Sequence, residues 1–503
     1  MSKPLFISTA IPFVNSRPHL GFALELCITD ALARHARARG RDVLFVSGTD
    51  DHSLKNVLAA ERAGQPTAAF VEQCSSAFLQ LGAALDISVD RYIHTSRSPS
   101  HAPSVNALWN ACSARGDLYK SSYRGLYCVG CERFADPDEQ RCPEHDAPLE
   151  LVAEDNWYFR LSRYRELLRE RIETEAFSLS SPAREEILAF LREPLRDLCV
   201  SRSAERARGW GLPVPGDPSQ VIWVWFDALA YYLSAVDHGS NAGELSRFWQ
   251  SDAERVHVIG KGIARFHAVI WPALLESAGL PWPSALRVHG YLTLEGGKIS
   301  KSGRVLDPEP LIAQLGPDAL RYYLLRHVRT SRDGDWSHAR FIAAYNAELA
   351  NGLGNLANRL FGLVQRCTGG TLPPPAADTS PELRERALAL SSEIDRAVER
   401  FALDEALAAV WKVIELANRT LDRTAPWAVI KRGELEAASQ LLRAQLETLH
   451  VIARELAPFL PRAADTLTRS LGTWDALETG KALPPALNLF PRWLEPEDRV
   501  RLL

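Results

Sequence analysis

An apolar run of strand length, LFISTA at residues 5–10, is followed by a helical pattern over 19–37 and a second apolar run, DVLFVS, at 42–47; helical sequence, LKNVLAAERAG, then returns. Strands that alternate with helices in this way form a parallel sheet covered by crossover helices, and the fold class is α/β. The alternation breaks near residue 120, where YRGLYCVGCERFADPDEQRCPEHDAP is rich in turns and cysteines and too irregular for the parallel sheet. An insertion starts there. Helical, charge-rich sequence fills 160–200, and VIWVWFDALAYYLSAV (221–236) and VHVIG (256–260) restore the alternation, so the sheet domain is split around its insert. From about 345 to 470 apolar residues recur at helical spacing, as in ALAAVWKVIELANRTLD, and mark a separate all-α bundle with a Pro-rich connection, TLPPPAADTSP, at 371–381. The expected division is 1–115 and 221–345 for the two halves of the sheet domain, 116–220 for the insertion and 346–503 for the helical domain.

The chain has 503 residues, 46% of them hydrophobic, enough for several cores. Its start, MSKPLFISTAIPF, lacks the pattern of a secretory signal, and no segment is a candidate membrane span, so a cytoplasmic monomer is expected. A net charge of -4 gives no global attraction to a polyanion and leaves only local basic faces to bind one. Lysine is scarce beside arginine, and a lysine cluster therefore stands out.

The loop after the first strand, IPFVNSRPHLG, lies where open parallel sheets bind ligands. His19 and Gly21 would face that site: glycine admits close backbone, and the imidazole and helix N-terminus offer donors to oxyanions. A second segment, EGGKISKSGRVLDP (295–308), sets Lys298 and Lys301 on either side of Ser300. Ammonium groups are mobile point charges suited to phosphate whose charge shifts during reaction; the bland alternative is a solvated surface loop. Cys128, Cys131, Cys142 and His145, spaced C-x2-C-x10-C-x2-H, make two paired knuckles suited to a tetrahedral Zn2+ with no open position, and hence structural. The other five cysteines, Cys27, Cys74, Cys112, Cys199 and Cys367, read as small buried hydrophobes.

HLG after the first strand and KISKS after a late one resemble the paired signatures of class I aminoacyl-tRNA synthetases. The resemblance extends to the methionyl-tRNA synthetase family, through AIPFVNSRPHLG, GTDDHSLKNVLAAERAG, VWFDALAYYLSA, IGKGIARFHAVIWPALL and HGYLTLEGGKISKS in order. It implies a split Rossmann-type catalytic domain with a zinc-knuckle insertion and a helical anticodon-binding-like domain. It also implies that an amino acid carboxylate attacks the α-phosphorus of ATP, carried with Mg2+, and that the acyl group passes to tRNA. On that resemblance His19, Lys298 and Lys301 stabilise phosphate charge, with Gly21 and Ser300 beside them on ATP. Asp50 meets the substrate ammonium. Ile11, Phe13, Trp225, Ala228, Leu229, Tyr232, His267 and Trp271 surround a methionine side chain, because sulfur meets ring edges favourably. Asn418, Arg419 and Trp474 match anticodon-reading positions, where unstacked bases meet aromatics and polar groups.

The sequence departs from the family pattern near ATP. Phe22 stands where relatives carry a second histidine, Gly262 where an aspartate holds ribose, Ser53 where a glycine follows GTDDH, and Ile299 replaces a methionine. A missing oxyanion donor costs about 10²–10³ in rate, and restoring it with F22H is expected to raise adenylation. The expected activity is methionine--tRNA ligation. A paralogue serving a small-molecule acceptor and a noncatalytic tRNA- or amino-acid-binding protein are the alternatives.

Overall fold

The computed structural model describes residues 3–128, 133–134, 141–142, 148–239, 244–250, 252–294, 297–298, 306–375 and 379–493. Two compact units emerge, Met1–Ala83 with Ile87–His289, and Ala84–Asp86 with Gly290–Leu503. The change of sequence pattern at 345 therefore falls inside the second unit; packing divides the chain earlier, at His289.

The first unit is built on a six-stranded parallel sheet. Its strands are β1 (Leu5–Ser8), β2 (Val43–Thr49), β3 (Arg91–His94), β4 (Ser178–Leu179), β5 (Glu254–Gly260) and β6 (Ala285–His289), in the order β3-β2-β1-β5-β6-β4. All four residues of β1 are buried, which is why it reads as an unbroken apolar run. Phe6 pairs in register with Leu44 on one side and Arg255 on the other, and its ring meets Trp249 edge-on at 5.1 Å. Strand order reverses at β1, so the loops leaving β1 and β5 diverge and open the crevice in which such sheets bind ligands. Helices α1 (Leu20–Ala38), α2 (Leu54–Arg62), α3 (Thr67–Ala84), α4 (His101–Ala114), α5 (Val224–Leu229) and α6 (Trp271–Ala278) accompany the sheet.

The insertion carries an antiparallel sheet of Leu118–Cys128, Arg133–Phe134, Glu150–Phe159 and Leu198–Cys199, so YRGLYC, read from sequence as irregular, ends a long strand. Two further expectations need correction. The predicted helical stretch 160–200 contains a 3-10 turn at Leu161–Tyr164 and α-helices at Arg165–Glu173 and Ser181–Phe190, and between the α-helices β4 returns to the edge of the parallel sheet, pairing Ser178 with Ala285 and Leu179 with Leu286. Two residues carry no periodicity, so this strand is specified by its partner alone. The apolar run at 221–222 ends a strand, Asp217–Ile222, that pairs antiparallel with Ser201–Ser203 and Pro213–Val214 and never joins the parallel sheet.

The second unit carries the helical bundle, which includes α7 (Asn355–Thr368), α8 (Pro381–Glu399), α9 (Leu403–Thr424), α10 (Leu435–Leu456) and α11 (Pro461–Leu471). Helix α9 buries Leu403, Leu407, Val410, Ile414, Ala417 and Leu421, an i, i+4, i+7 stripe. Fully buried Arg321 donates to the carbonyls of Leu85, Pro458 and Phe459, which solvates its guanidinium inside the unit. The Pro-rich connection is anchored where Leu372 N donates to Lys481 O at 2.9 Å.

Candidate active site

His19 caps α1 from an extended conformation, φ −122° and ψ 170°, and its Nδ1 accepts from Gly21 N at 3.1 Å. An accepting Nδ1 puts the proton of the neutral imidazole on Nε2, a donor at the end of a helix dipole. Glycine at 21 leaves room for this ring: a Cβ would lie 2.9 Å from His19 Cε1 and 3.0 Å from Nδ1 and would push the imidazole off its cap. Phe22, one residue on, is 7% exposed and meets Phe78 of α3 edge-on at 5.1 Å. This position is turned into apolar packing, which explains its residue type as core rather than as a donor that has been lost.

The loops that leave β1 and β2 run side by side. Phe13 bridges to Asp50, and Asp50 N donates to Pro12 O at 2.9 Å. Asp50 is buried, and its Oδ1 accepts from His52 N at 3.2 Å. Asn56 Nδ2 donates to the carbonyls of Asp50 and Asp51 at 3.0 and 2.9 Å, and Trp210 Nε1 to Asp51 O at 2.7 Å, so the loop backbone is tied from two sides. Ser53, the departure from glycine, caps α2 through its Oγ, which accepts from Lys55 N at 3.1 Å.

The predicted amino-acid positions come together in this unit. Trp225 stacks on Phe266 at 3.7 Å between centroids and meets Phe13 edge-on at 6.2 Å. Ile11 lies against the core, and its Cγ2 is 3.2 Å from where a Cβ on Gly48 would sit. Ala228 and Leu229 are buried on α5, and Tyr232 follows in the next turn. Tyr232 donates to His267 Nε2 at 2.8 Å, and His267 Nδ1 donates to Ile263 O at 3.0 Å. Burial pushes the His267 pKa down to about 4 against that carbonyl bond, so the ring is neutral near pH 7. Trp271 Nε1 donates to His257 Nε2 at 3.2 Å, which leaves His257 Nδ1 to donate to Ser8 Oγ at 2.7 Å. Burial, then the repulsion a second protonated ring would meet from His267 and the charge of Arg255, hold His257 neutral as well.

Sequence reasoning missed Phe266 and His257, along with a buried carboxylate in a hydrogen-bond network: Glu25 Oε1 accepts from Ala10 N at 2.8 Å and Oε2 is bonded to His289 Nε2 at 3.0 Å. It also missed Asp227, whose only signal is an acid within the apolar run VWFDALAYYLSA.

Other predicted residues lie elsewhere. Lys298 is described by its backbone alone, in the strand Gly297–Lys298; Ser300 and Lys301 are outside the described residues. Cys128 ends an insertion strand, and Cys142 adjoins the Arg141–Pro148 bridge; both are buried, whereas Cys131 and His145 are outside the described residues. The five remaining cysteines are buried, as expected. Gly262 sits in the short turn Lys261–Ile263 after β5. In the helical unit Asn418 Nδ2 donates to Ile414 O at 3.1 Å and Gly352 O at 3.4 Å, Arg419 is exposed 3.9 Å from Glu415, and Trp474 is 43% exposed. Asp475, next to Trp474, lines a groove of about 430 Å³ with Arg384, Arg443, His450 and Arg454.

The family signature "tRNA synthetases class I (M)" matches residues 5–150 and 142–361, and "Anticodon binding domain of methionyl tRNA ligase" matches 367–492. The chain is 35% identical to a methionine--tRNA ligase of Thermotoga maritima over 97% of its own length and 80% of that protein. With one from Brucella suis identity is 36%, over 98% and 99%. The fold superposes on a Mycobacterium tuberculosis methionyl-tRNA synthetase in complex with methionyl-adenylate with a TM-score of 0.92, at 34% identity, covering 98% of this chain and all of that one.

Proposed function

The chain belongs to the methionyl-tRNA synthetase family, and on that premise we propose that it activates methionine with ATP and transfers it to tRNA. One observation carries this reading: a histidine-capped helix N-terminus follows β1, and in the same loop Phe13 bridges to buried Asp50 and meets the ring of Trp225.

Asp50 orients the substrate ammonium through opposite charge. The aromatic wall of Phe13, Trp225, Tyr232 and Trp271, with Ile11, Ala228, Leu229 and neutral His267, receives the thioether, for which ring edges contribute roughly 0.3–1.5 kcal/mol. With the amino acid held at both ends, its carboxylate oxygen attacks the α-phosphorus of ATP; the bond to the β-phosphate oxygen breaks and pyrophosphate leaves. His19 Nε2–H and the N-terminus of α1 donate to the phosphate oxygens as charge builds, beside Gly21. Lys298 and Lys301, with Ser300 between them, supply the mobile positive charge. A ribose hydroxyl of tRNA then attacks the acyl carbon and AMP departs. Positioning and charge stabilisation suffice, with no side-chain nucleophile.

Mg2+ accompanies ATP on its phosphates. Zinc fits the buried sulfurs of Cys128 and Cys142, completed by Cys131 and His145, and would staple the insertion. Arg419 and Trp474, which are exposed in the helical unit, would meet anticodon bases, with Asn418 next to Arg419 in sequence. Among the described residues no helix is long and apolar enough to cross a membrane.

Pyrophosphate exchange over a panel of amino acids, followed by tRNA charging, tests the proposal. Methionine should be the best substrate in both assays, and K301A should slow adenylation by about 10²–10³ with methionine affinity retained. Exchange without charging would contradict transfer to tRNA. Equal rates for K301A and parent would remove Lys301 from the mechanism.

A further inference from the structure

One carboxylate behind the proposed amino-acid site joins three elements of the first unit. Asp227, on α5 between Trp225 and Ala228, is 1% exposed. Its Oδ2 accepts from His52 Nδ1 at 2.6 Å, and its Oδ1 from His101 Nε2 at 2.5 Å. His52 lies in the loop after β2, and its backbone N–H donates to the Asp50 carboxylate at 3.2 Å. His101 opens α4, and its Nδ1 reaches Ser234 Oγ at 2.9 Å.

By residue type the trio could be a metal site, since its ligand atoms all lie within 4.8 Å of one another. The distances say otherwise. Two ligands of a tetrahedral zinc about 2.0 Å from the metal stand about 3.3 Å apart. The nitrogen–oxygen separations of 2.5 and 2.6 Å are those of charge-assisted hydrogen bonds with a proton between the atoms.

We propose that His52, Asp227 and His101 are positioning residues that fix the Asp50 carboxylate relative to the aromatic wall, so that ammonium and thioether of one methionine are gripped at a set separation. The inference rests on Asp50 being the ammonium partner. The two grips sit on different elements: Asp50 on the loop after β2, Trp225, Ala228 and Leu229 on α5. A ligand of fixed length feels any slack between them, and displacements of the order of 1 Å weaken binding and reaction strongly. Asp227 removes that slack because a buried carboxylate cannot leave its donors without a large desolvation cost. Through the His52 ring it holds the loop, through its own backbone it belongs to α5, and through His101 both are referred to α4. None of the three needs to touch substrate.

The ring atoms in use make the test specific. An asparagine amide nitrogen can replace Nδ1 of His52, and a glutamine amide nitrogen can replace Nε2 of His101. In methionine-dependent pyrophosphate exchange, H52A and H101A are expected to raise KM for methionine about 10- to 100-fold, with KM for ATP changed less than about twofold. H52N and H101Q should bring the methionine KM back to within about threefold of the parent, whereas H52Q and H101N should not. A merely structural role would not give that crossed rescue, and if H101A fails to fold, the H52A and H52N pair decides. D50N separates the premise from the inference. A D50N enzyme with the parent's methionine KM overturns both. D50N raising it while H52A does not, KM for both substrates rising together in H52A, or equal KM for H52A and H52N, overturns the relay alone.

Discussion

A Cβ added at Gly21 would sit 2.9 Å from a carbon of the His19 ring, so at this residue a single methyl group decides where the imidazole points. Alanine remains helical here, since no unusual backbone angle is involved, and the strain must be relieved by turning the ring off its cap. G21A is therefore expected to cut pyrophosphate exchange about tenfold or more while moving the melting temperature little; an unchanged rate would show that the capped rotamer is not the working one. At Phe22 the sequence and the structure disagree. Read against the family pattern, phenylalanine is a missing donor, and F22H should raise adenylation. Its ring, however, is buried edge-on against Phe78, and a histidine there would trade apolar contact for a polar group without a partner. F22H is expected to lower stability by about 2 kcal/mol or more without raising exchange, as read by thermal melting and the exchange assay.

The elements legible in the sequence are those with a buried apolar run or a long apolar period. β1 is buried throughout and β2 and β5 over most of their length, so apolar residues dominate them, and α9 is legible because its single buried stripe repeats over six turns. β4 was not legible, as two residues have no period, and the strand ending at Ile222 was assigned to the wrong sheet because an apolar run does not say which partner it pairs with. The site divides in the same way. His19 and Gly21 follow from position after the first strand, the aromatic wall only from the family pattern, and Asp227 from neither. Its histidine partners lie 175 and 126 residues away, and no local rule joins them. The insertion offers a test at this scale. One of its strands ends at Cys128, and Cys142 follows a residue in a β-bridge, so a metal there should stabilise the insertion without entering the chemistry. One zinc per chain is expected by metal analysis. C142S should lose it and lower the first melting transition, with methionine exchange in the folded protein kept within about threefold.

For the molecule as a whole, buried histidines give the stability a pH profile with two opposed limbs. Burial drives His267 down to about 4 and His257 well below its ordinary value, so both enter the folded state neutral. On unfolding each regains a pKa near 6.5, and below that pH the unfolded chain binds the extra protons. Their contribution is therefore complete above about pH 6.5 and declines as the pH falls toward 4, by roughly 3 kcal/mol for His267 alone at about 1.4 kcal/mol per unit. His52 works in the other direction. Burial opposes its charged form, but the charge and hydrogen bond of Asp227, with Asp51 adding to them, raise its pKa above 6.5. Its contribution is complete below the unfolded value and fades as the pH rises through the folded one. Melting curves from pH 4.5 to 8.5 should show a flattened acid limb in H267Q, whose side-chain oxygen can still accept from Tyr232, and a flattened alkaline limb in H52N, which keeps the donor but cannot titrate. If H267Q instead loses stability with acid as steeply as the parent, the acid limb belongs to other groups and His267 is not what limits the fold.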